Sequence, residues 1–235
     1  MNNYEWIFFD ADNTLFDFDR AEHNAIKSVL TDLGISYDDH YFQAYKTINK
    51  AIWTAYENGE LPKGRLRAIR FERFFAKFNI QADASTTSRD YLQYLSESAH
   101  LLEGAEDLLL HLSKHYRLAL VTNGLKEVQR PRFEKSGVQH LFKLIVVSDE
   151  IGVAKPERGF FDFAFQQIGS PHPEKVIIIG DNLNSDIRGG FQYGLDTCWF
   201  NPNGYHNDTT VQPKYTIKKL QELPILLSNG VNRNQ

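Results

Sequence analysis

Short apolar runs alternate with amphipathic segments along most of this 235-residue chain. Runs of this length without polar alternation are typical of strands buried on both faces of a parallel sheet. Amphipathic segments that separate such strands favour helices, and strands alternating with helices predict an open α/β sheet. The predicted strands are Trp6–Phe9, Leu118–Val121, Leu144–Val147, Val176–Ile179, Thr197–Phe200 and Tyr215–Ile217. The predicted helices between them are Glu106–His115, Glu127–Ser136, Phe160–Gln167 and Ser185–Tyr193.

Glycine and proline mark the ends of several of these elements. Gly137, Gly169 and Gly194 follow three of the helical patterns, where a left-handed C-terminal residue is expected. Pro131 lies inside the pattern that begins at Glu127, and we expect it to kink that helix or to move its start later.

The segment from residue 21 to residue 100 breaks the alternation, because it contains no convincing strand. Its apolar spacing predicts four helices: Ala21–Leu33, Tyr41–Glu57, Leu66–Phe78 and Thr86–Ser98. A chain of this length is expected to form one to two domains. We therefore predict an all-helical insertion over 21–100 at the carboxyl edge of a sheet domain formed by 1–20 and 101–235.

Composition excludes several classes of protein. The net charge of −4 argues against binding to a nucleic acid polymer, and no polybasic patch suits a membrane surface. No apolar run approaches the ~18 residues that span a bilayer, and the first residues do not have the pattern of a signal peptide. Because the single cysteine, Cys198, cannot form an internal disulfide, we expect a cytoplasmic protein. We also expect a monomer or a weak dimer.

Polar clusters follow four of the predicted strands. Taken singly, each has an ordinary explanation as an acidic turn, a helix cap or a solvated lysine. Since the carboxyl ends of parallel strands meet at one edge of the sheet, where ligands bind in open α/β folds, the clusters are expected to converge. They are Asp10-Ala11-Asp12-Asn13-Thr14, Thr122-Asn123-Gly124, Lys155-Pro156, and Gly180-Asp181 with Asp186.

In this order the four clusters resemble the motifs of the haloacid dehalogenase superfamily of aspartyl-phosphate enzymes. Asp10-x-Asp12-x-Thr14 matches the first motif, Thr122 the second, Lys155 the third, and Gly180-Asp181 with Asp186 the fourth. The resemblance covers nearly the whole chain. It implies a Rossmann-like parallel sheet core with an inserted all-helical cap, which agrees with the fold that the strand and helix patterns predict.

The resemblance also implies a metal site. Mg²⁺, a hard ion that prefers oxygen ligands, would be held by the Asp10 carboxylate, the Asp12 main-chain carbonyl and the Asp181 carboxylate. Asp186 would support the waters of the metal and the neighbouring groups. Mn²⁺ or Co²⁺ is expected to substitute for Mg²⁺.

The catalytic roles implied by the resemblance fall on the same residues. Asp10 is the nucleophile that forms a phospho-aspartyl intermediate, and Asp12 is the acid that protonates the leaving group and the base that later activates water. The phosphoryl oxygens are expected to be bound by Ala11, Asp12, Thr122, Asn123 and Lys155.

Asp12 selects among the branches of the superfamily. The dehalogenases proper lack a carboxylate at this position, so Asp12 favours a phosphatase. A phosphonate-cleaving enzyme would use a cap lysine, and nothing marks Lys46, Lys50 or Lys63 for that role. Phosphoglucomutase-like phosphotransferases share all four motifs and remain an alternative. A phosphatase for a sugar phosphate or for phosphoglycolate also remains open, as do two non-enzymatic functions, a receiver-type signalling domain and a catalytically dead scaffold.

Three segments, 6–12, 49–59 and 151–156, resemble the pyrimidine 5′-nucleotidases within this superfamily. This implies a small-molecule substrate, a nucleoside 5′-monophosphate with a pyrimidine base preferred. Asn49, Trp53 and Tyr56 recur at helical spacing and could offer an amide and two rings to a base, although such a stripe also suits packing. Phe16 and Phe18, just after the first motif, are further candidates for substrate contact.

Overall fold

The computed structural model describes residues 4–228; the two ends of the predicted sheet domain, 1–3 and 229–235, lie outside the described residues. Within the described range, six parallel strands form one sheet in the order β3-β2-β1-β4-β5-β6, which confirms the predicted fold class. The strands are β1 (Trp6–Phe9), β2 (Arg117–Thr122), β3 (Phe142–Val147), β4 (Val176–Gly180), β5 (Asp196–Phe200) and β6 (Tyr215–Ile217).

The apolar runs form strands because both of their faces are covered. Ile7 and Phe9 of β1 point into an apolar cluster on one side of the sheet, whereas Trp6 and Phe8 point into a second cluster on the other side. Burying ~25 cal/mol per Å² of apolar surface on each face offsets the conformational entropy lost in such a short strand.

Ten α-helices lie within residues 4–228. They are α1 (Phe18–Asp32), α2 (Asp39–Glu57), α3 (Leu66–Phe78), α4 (Ala84–Glu97), α5 (Ala105–Leu112), α6 (Lys126–Lys135), α7 (Ser148–Ile151), α8 (Arg158–Gln167), α9 (Gly189–Tyr193) and α10 (Leu223–Ser228). In this range there are also 3₁₀ turns at Lys63–Arg65, Gln139–Leu141, Pro173–Lys175 and Leu220–Glu222, and a π-helical turn at Leu183–Arg188. None of these helices is long and apolar enough to cross a membrane.

The starts of two helices differ from the sequence prediction for identifiable reasons. Helix α1 begins at Phe18, before the predicted Ala21, because the Asp17 carboxylate caps it by accepting from the Arg20 N–H at 3.0 Å. Helix α6 begins at Lys126 and continues through Pro131, so the expected later start was wrong. The extended backbone of Leu125 sets that start instead.

The predicted helix Ser185–Tyr193 is divided into the π-helical turn and α9. The Asn182 side chain caps the turn by accepting from the N–H groups of Asn184 and Ser185, at 2.8 and 3.0 Å. This early start and wider winding carry Asp186 inward, where it is fully buried. A π-helical turn of this kind often accompanies a functional site.

Helices α1–α4 occupy the segment predicted as the cap and share an apolar cluster of their own, to which the rest of the chain contributes Leu125 and Val128. Polar contacts also join the cap to the carboxyl edge of the sheet, and they include the following two. Arg67 of α3 pairs with Glu127 of α6 at 2.5 Å, and Asn184 donates to Glu57 of α2 at 3.3 Å. The domain limits at residues 21 and 100 stay a prediction.

Candidate active site

The first and fourth sequence motifs meet at the point where the strand order reverses. Strand β1 pairs with both β2 and β4, so the residues after Phe9 and after Ile179 lie side by side. The Asp10 N–H continues the ladder by donating to the Ile179 carbonyl at 2.9 Å. In open parallel sheets, ligands bind beyond the carboxyl ends of the strands at such a reversal.

A tight turn follows Asp10. The Ala11 carbonyl accepts from the N–H groups of both Leu15 and Phe16 at 2.9 Å, and Asn13 has a left-handed φ of 57°. Asparagine is among the few residues that adopt this conformation at low cost. The turn places the Asp10 and Asp12 side chains on one cavity while Ala11 between them is fully buried.

Lys155 holds the buried carboxylates together. Its Nζ donates to Asp10 Oδ1 at 2.8 Å, to Asp186 Oδ1 at 2.6 Å and to the Val121 carbonyl at 2.6 Å, which uses all three protons of the ammonium. Burial alone would lower the pKa of Lys155, but the charges of Asp10 and Asp186 outweigh burial and raise it. Lys155 is therefore a permanent positive charge beneath the cavity.

The second motif positions this lysine through its main chain. The Asn123 side chain donates to the Lys155 carbonyl and accepts from the Lys155 N–H, both at 2.8 Å. The neighbouring Thr122 hydroxyl is buried and accepts from the Gly124 N–H at 3.1 Å. Its own proton is left to donate to an anion in the cavity.

Three carboxylates form a group that could hold a divalent ion. One oxygen each from Asp10, Asp181 and Asp186 lies within 4.8 Å of the others. Burial, together with the charges of its acidic neighbours, raises the pKa of Asp181, and burial likewise raises that of Asp10 although Lys155 opposes the effect. Crowded, desolvated oxygen ligands with one cation among them suit a hard ion such as Mg²⁺, so the residues fit the implied metal.

Asp186 has both of its oxygens occupied by protein donors. Oδ1 accepts from Lys155, and Oδ2 accepts from the Asn182 N–H at 3.1 Å. Asp186 also approaches Gly180 so closely that a Cβ on Gly180 would lie 2.3 Å from its Cγ. This contact explains why glycine ends β4, and it suits Asp186 to the supporting role that the sequence suggested.

Asp12 has two partners that the sequence motifs did not reveal. Gln129 Nε2 donates to Asp12 Oδ2 at 2.7 Å, and Arg132 Nη1 donates to Asp12 Oδ1 at 2.5 Å. Both lie on α6, three residues apart and hence on one face of the helix. That spacing was visible in the sequence, but nothing there indicated which face would meet Asp12.

Trp199 is a further residue that was missed. It lies on β5, lines the cavity and donates from Nε1 to the Asp181 carbonyl at 2.9 Å. An indole in an apolar run gives no sign of such a contact, because its partner comes from a neighbouring strand end. The bond fixes the main chain that carries the Asp181 carboxylate.

Residues of the sequence motifs and residues of the cap line one cavity of about 1100 Å³. The predicted site residues that line it are Asp10, Asp12, Thr122, Asn123, Asp181 and Asp186 from the core, with Phe18, Asn49 and Trp53 from the cap side. The structure thus brings together predicted residues of the first, second and fourth motifs and of the cap, whereas Lys155 and Ala11, also predicted to bind the phosphoryl oxygens, do not line the cavity.

Two of the proposed substrate contacts lie elsewhere. Phe16 is fully buried, with its ring 4.9 Å from that of Phe133 between centroids, so it packs the core. Tyr56 does not line the cavity and packs edge-on against Trp53 at 5.9 Å. Helical spacing put both cap rings on one face, but of the two only Trp53 lines the cavity.

A parallel sheet with this strand order, two aspartates after its first strand and a helical insertion is typical of a class of hydrolases with a capped α/β core. A family model described as haloacid dehalogenase-like hydrolase matches residues 4–194. The chain belongs to this family, as its sequence motifs predicted.

Individual relatives are similar over nearly their whole length. The pyrimidine 5′-nucleotidases YjjG of Escherichia coli and PynA of Streptococcus pneumoniae are 34% and 36% identical, over 95% and 97% of this chain and 98% and 97% of their own. The crystal structure of the HAD hydrolase YfnB from Bacillus subtilis, bound to magnesium, has a TM-score of 0.91 at 36% identity, covering 96% of this chain and 99% of that one.

Proposed function

We propose that this protein is a Mg²⁺-dependent phosphomonoesterase that hydrolyses nucleoside 5′-monophosphates, with pyrimidine bases preferred, through a phospho-aspartyl intermediate. The observation that carries the proposal is the single cavity shared by Asp10, Asp12, Thr122 and the cap residue Trp53. The similarity to YjjG and PynA, both named as pyrimidine 5′-nucleotidases, supports the choice of substrate.

In the first half of the reaction, a carboxylate oxygen of Asp10 attacks phosphorus while the ester P–O bond breaks. Lys155 binds the other Asp10 oxygen and so orients the nucleophile. Asp12 gives a proton to the leaving alkoxide of the nucleoside. Each Asp12 oxygen accepts one bond from α6 and keeps a second lone pair that can carry this proton.

In the second half, Asp12 takes a proton from a water molecule, which attacks phosphorus and releases inorganic phosphate and free Asp10. The Thr122 hydroxyl and the main chain of Asn123 bind the phosphoryl oxygens in both halves. Positioning and electrostatics carry most of the catalysis in phosphoryl transfer, so these groups contribute to the rate as well as to binding.

A metal bound by Asp10, Asp181 and the Asp12 carbonyl, with Asp186 in support, would neutralise charge between the carboxylate and the phosphate. Asp10, Asp181 and Asp186 lie close enough together for this role. Mn²⁺ or Co²⁺ is expected to replace Mg²⁺, whereas Ca²⁺, with longer bonds and a larger coordination number, should inhibit.

The test is phosphate release from a panel of esters with Mg²⁺ or with EDTA. UMP, dUMP and dTMP should be cleaved faster than AMP and GMP, and EDTA should abolish activity until Mg²⁺ is restored. If a sugar phosphate or phosphoglycolate is cleaved faster than every nucleotide, the proposed substrate class is wrong, but the proposed phosphatase chemistry is not contradicted. Full activity in EDTA would contradict the metal dependence.

A further inference from the structure

Three buried polar side chains meet in the cap, outside the catalytic motifs. Glu22 of α1, Asn49 of α2 and Arg70 of α3 are each no more than 5% exposed. Asn49 Nδ2 donates to Glu22 Oε1 at 2.8 Å, and Arg70 Nη1 donates to Asn49 Oδ1 at 3.3 Å. All three, which we call the cap triad, line the cavity that contains Asp10.

Burying the charged side chains of the cap triad lowers the stability of the folded protein. Burial raises the pKa of Glu22 to about 7, although the Asn49 hydrogen bond and the charges of Lys46 and Arg70 act in the opposite direction. Well-packed apolar side chains often serve a helical core as well as a buried charged network, or better. Of the three, only Asn49 was predicted from the sequence to contact substrate.

The network also leaves hydrogen-bonding groups unused. Arg70 Nη2 is buried and makes no hydrogen bond to any part of the chain between residues 4 and 228. The Glu22 carboxylate accepts from Asn49 at Oε1, and a carboxylate can accept up to about four hydrogen bonds. A buried donor without a protein partner within residues 4–228, which native proteins rarely leave so, therefore lies in the same network as a carboxylate that can accept further hydrogen bonds.

Apolar side chains line the cavity together with the cap triad, alongside charged ones such as Asp19 and Lys46. Trp53 follows Asn49 by one helical turn and lines the same cavity, and Leu92, Leu95 and Val128 line it as well. A sugar would place hydroxyl groups against these walls, whereas a planar heterocycle buries its faces and presents polar atoms only at its edge. A flat ring with a polar edge therefore fits this part of the cavity better.

We propose that the cap triad recognises the hydrogen-bonding edge of the leaving group, with Glu22 accepting a ring N–H and Arg70 donating to the carbonyl beside it. The proposal rests on the proposed nucleotidase function and narrows its substrate to nucleotides whose base carries an N–H next to a carbonyl, as uracil and thymine do. Trp53 covers a face of the same ring. Glu22 and Arg70 are thus specificity-determining residues.

The experiment compares UMP with its N3-methyl analogue, which lacks the ring N–H, in the wild type and in Glu22→Gln. The wild type should lose about tenfold or more in kcat/KM on methylation, because a buried charged acceptor is left unpaired. Glu22→Gln presents an N–H instead of a second acceptor, so the ratio between the two substrates should fall towards one. dUMP against dTMP, in which the methyl group lies on another edge, controls for added bulk.

Asp19→Asn is the matched variant. Asp19 lies on the same helix, lines the same cavity and pairs with Lys46 at 3.0 Å, but its side chain is 60% exposed. It should keep the wild-type ratio. The proposal is overturned if Glu22→Gln lowers kcat/KM equally for UMP and for the methyl analogue. It is also overturned if the wild type has the same kcat/KM for both substrates.

The wild-type comparison of UMP with its N3-methyl analogue still tests the proposal if Glu22→Gln does not fold, since it changes the substrate alone. A failure of the proposed function is recognised separately. In that case UMP is cleaved no faster than ribose 5-phosphate, whereas a failure of the cap triad leaves UMP a good substrate.

Discussion

At the scale of single residues, a buried arginine controls the carboxylate assigned to proton transfer. Arg132 is fully buried, and its guanidinium lies 4.7 Å from the ring centroid of Phe16. Besides the bond to Asp12, its Nε donates to the Ser98 carbonyl at 3.0 Å, just after α4 ends. Arg132 therefore contacts both connections between the core and the cap: Asp12 and Phe16 on the way into the cap, and Ser98 on the way out of it.

We expect Arg132→Gln to lower kcat about tenfold or more, because Asp12 loses its charged partner. We also expect it to lower the free energy of unfolding by about 2–4 kcal/mol, because the packing of the buried arginine side chain is lost as well. Steady-state kinetics and denaturant unfolding measure the two effects. Arg130→Gln is the matched control: Arg130 lies on the same helix but pairs with Glu150 at the surface, with 39% of its side chain exposed. A change there should cost less than about 1 kcal/mol. Equal effects of the two substitutions would contradict the role of Arg132.

Replacing the two carboxylates of the first motif should separate their roles. Asp10→Asn keeps the shape of the side chain but removes the nucleophile, so phosphate release should fall to background. Asp12→Asn should retain Mg²⁺ binding, because the expected ligand is the main-chain carbonyl, while turnover of alkyl esters falls steeply. Phosphate release and a metal-binding titration test these expectations. Substantial turnover by Asp10→Asn would rule out the covalent intermediate.

At the scale of elements, the end of β4 and the π-helical turn must approach closely for the site to form. Gly180→Ala would place a Cβ 2.6 Å from the Asp186 Cβ and 2.3 Å from its Cγ, so Asp186 must move. We expect a loss of about tenfold or more in activity and weaker binding of Mg²⁺, measured by metal titration. Gly159→Ala on α8 is the control, because its Cβ would meet only the two Val153 methyls, at 3.5 and 3.9 Å, and it should be neutral or stabilising by about 0.5–1 kcal/mol. Loss of metal affinity in the control but not in Gly180→Ala would refute this explanation.

Helix α2 carries two rings with different surroundings, and their substitutions should differ accordingly. Trp53→Ala should lower kcat/KM for UMP more than for p-nitrophenyl phosphate, since it removes a wall of the cavity. Tyr56→Ala should lower the thermal midpoint and affect both esters together, because Tyr56 packs on Trp53. Kinetics with both esters and thermal unfolding give the comparison. If Tyr56→Ala, and not Trp53→Ala, selectively lowers kcat/KM for UMP, then Tyr56 and not Trp53 contacts the base.

At the scale of the whole molecule, the buried charge in the cap makes stability depend on pH. The folded protein raises the pKa of Glu22 from 4.5 to about 7, so it binds more protons than the unfolded chain between these values. Its contribution to stability is fully present below about pH 4.5 and is lost as the pH rises through about 7. The free energy of unfolding relative to Glu22→Gln should therefore fall by about 2–3 kcal/mol between pH 5 and pH 8. Denaturant unfolding of both proteins at a series of pH values measures this difference, and a constant difference would contradict it.

Much of the fold followed from local patterns. The strands Trp6–Phe9 and Tyr215–Ile217 and the helix Leu66–Phe78 have the predicted limits, because apolar period and punctuation by glycine or asparagine act over a few residues. The superfamily was also visible, since the first-motif aspartates and the fourth-motif glycine each follow a strand directly. The family match confirms it.

The sequence by itself thus determined most of the elements and the fold class, and it pointed to the candidate residues of the core site, because each depends on short-range periodicity or on residues that follow a strand. Only the tertiary structure decided which helix faces met. It brought Gln129 and Arg132 to Asp12, directed Tyr56 away from the cavity, buried Phe16, and joined Glu22, Asn49 and Arg70 from three helices. The physical reason is that contacts between residues far apart in the chain depend on how helices pack, and a period of 3.6 residues specifies a face without specifying its partner.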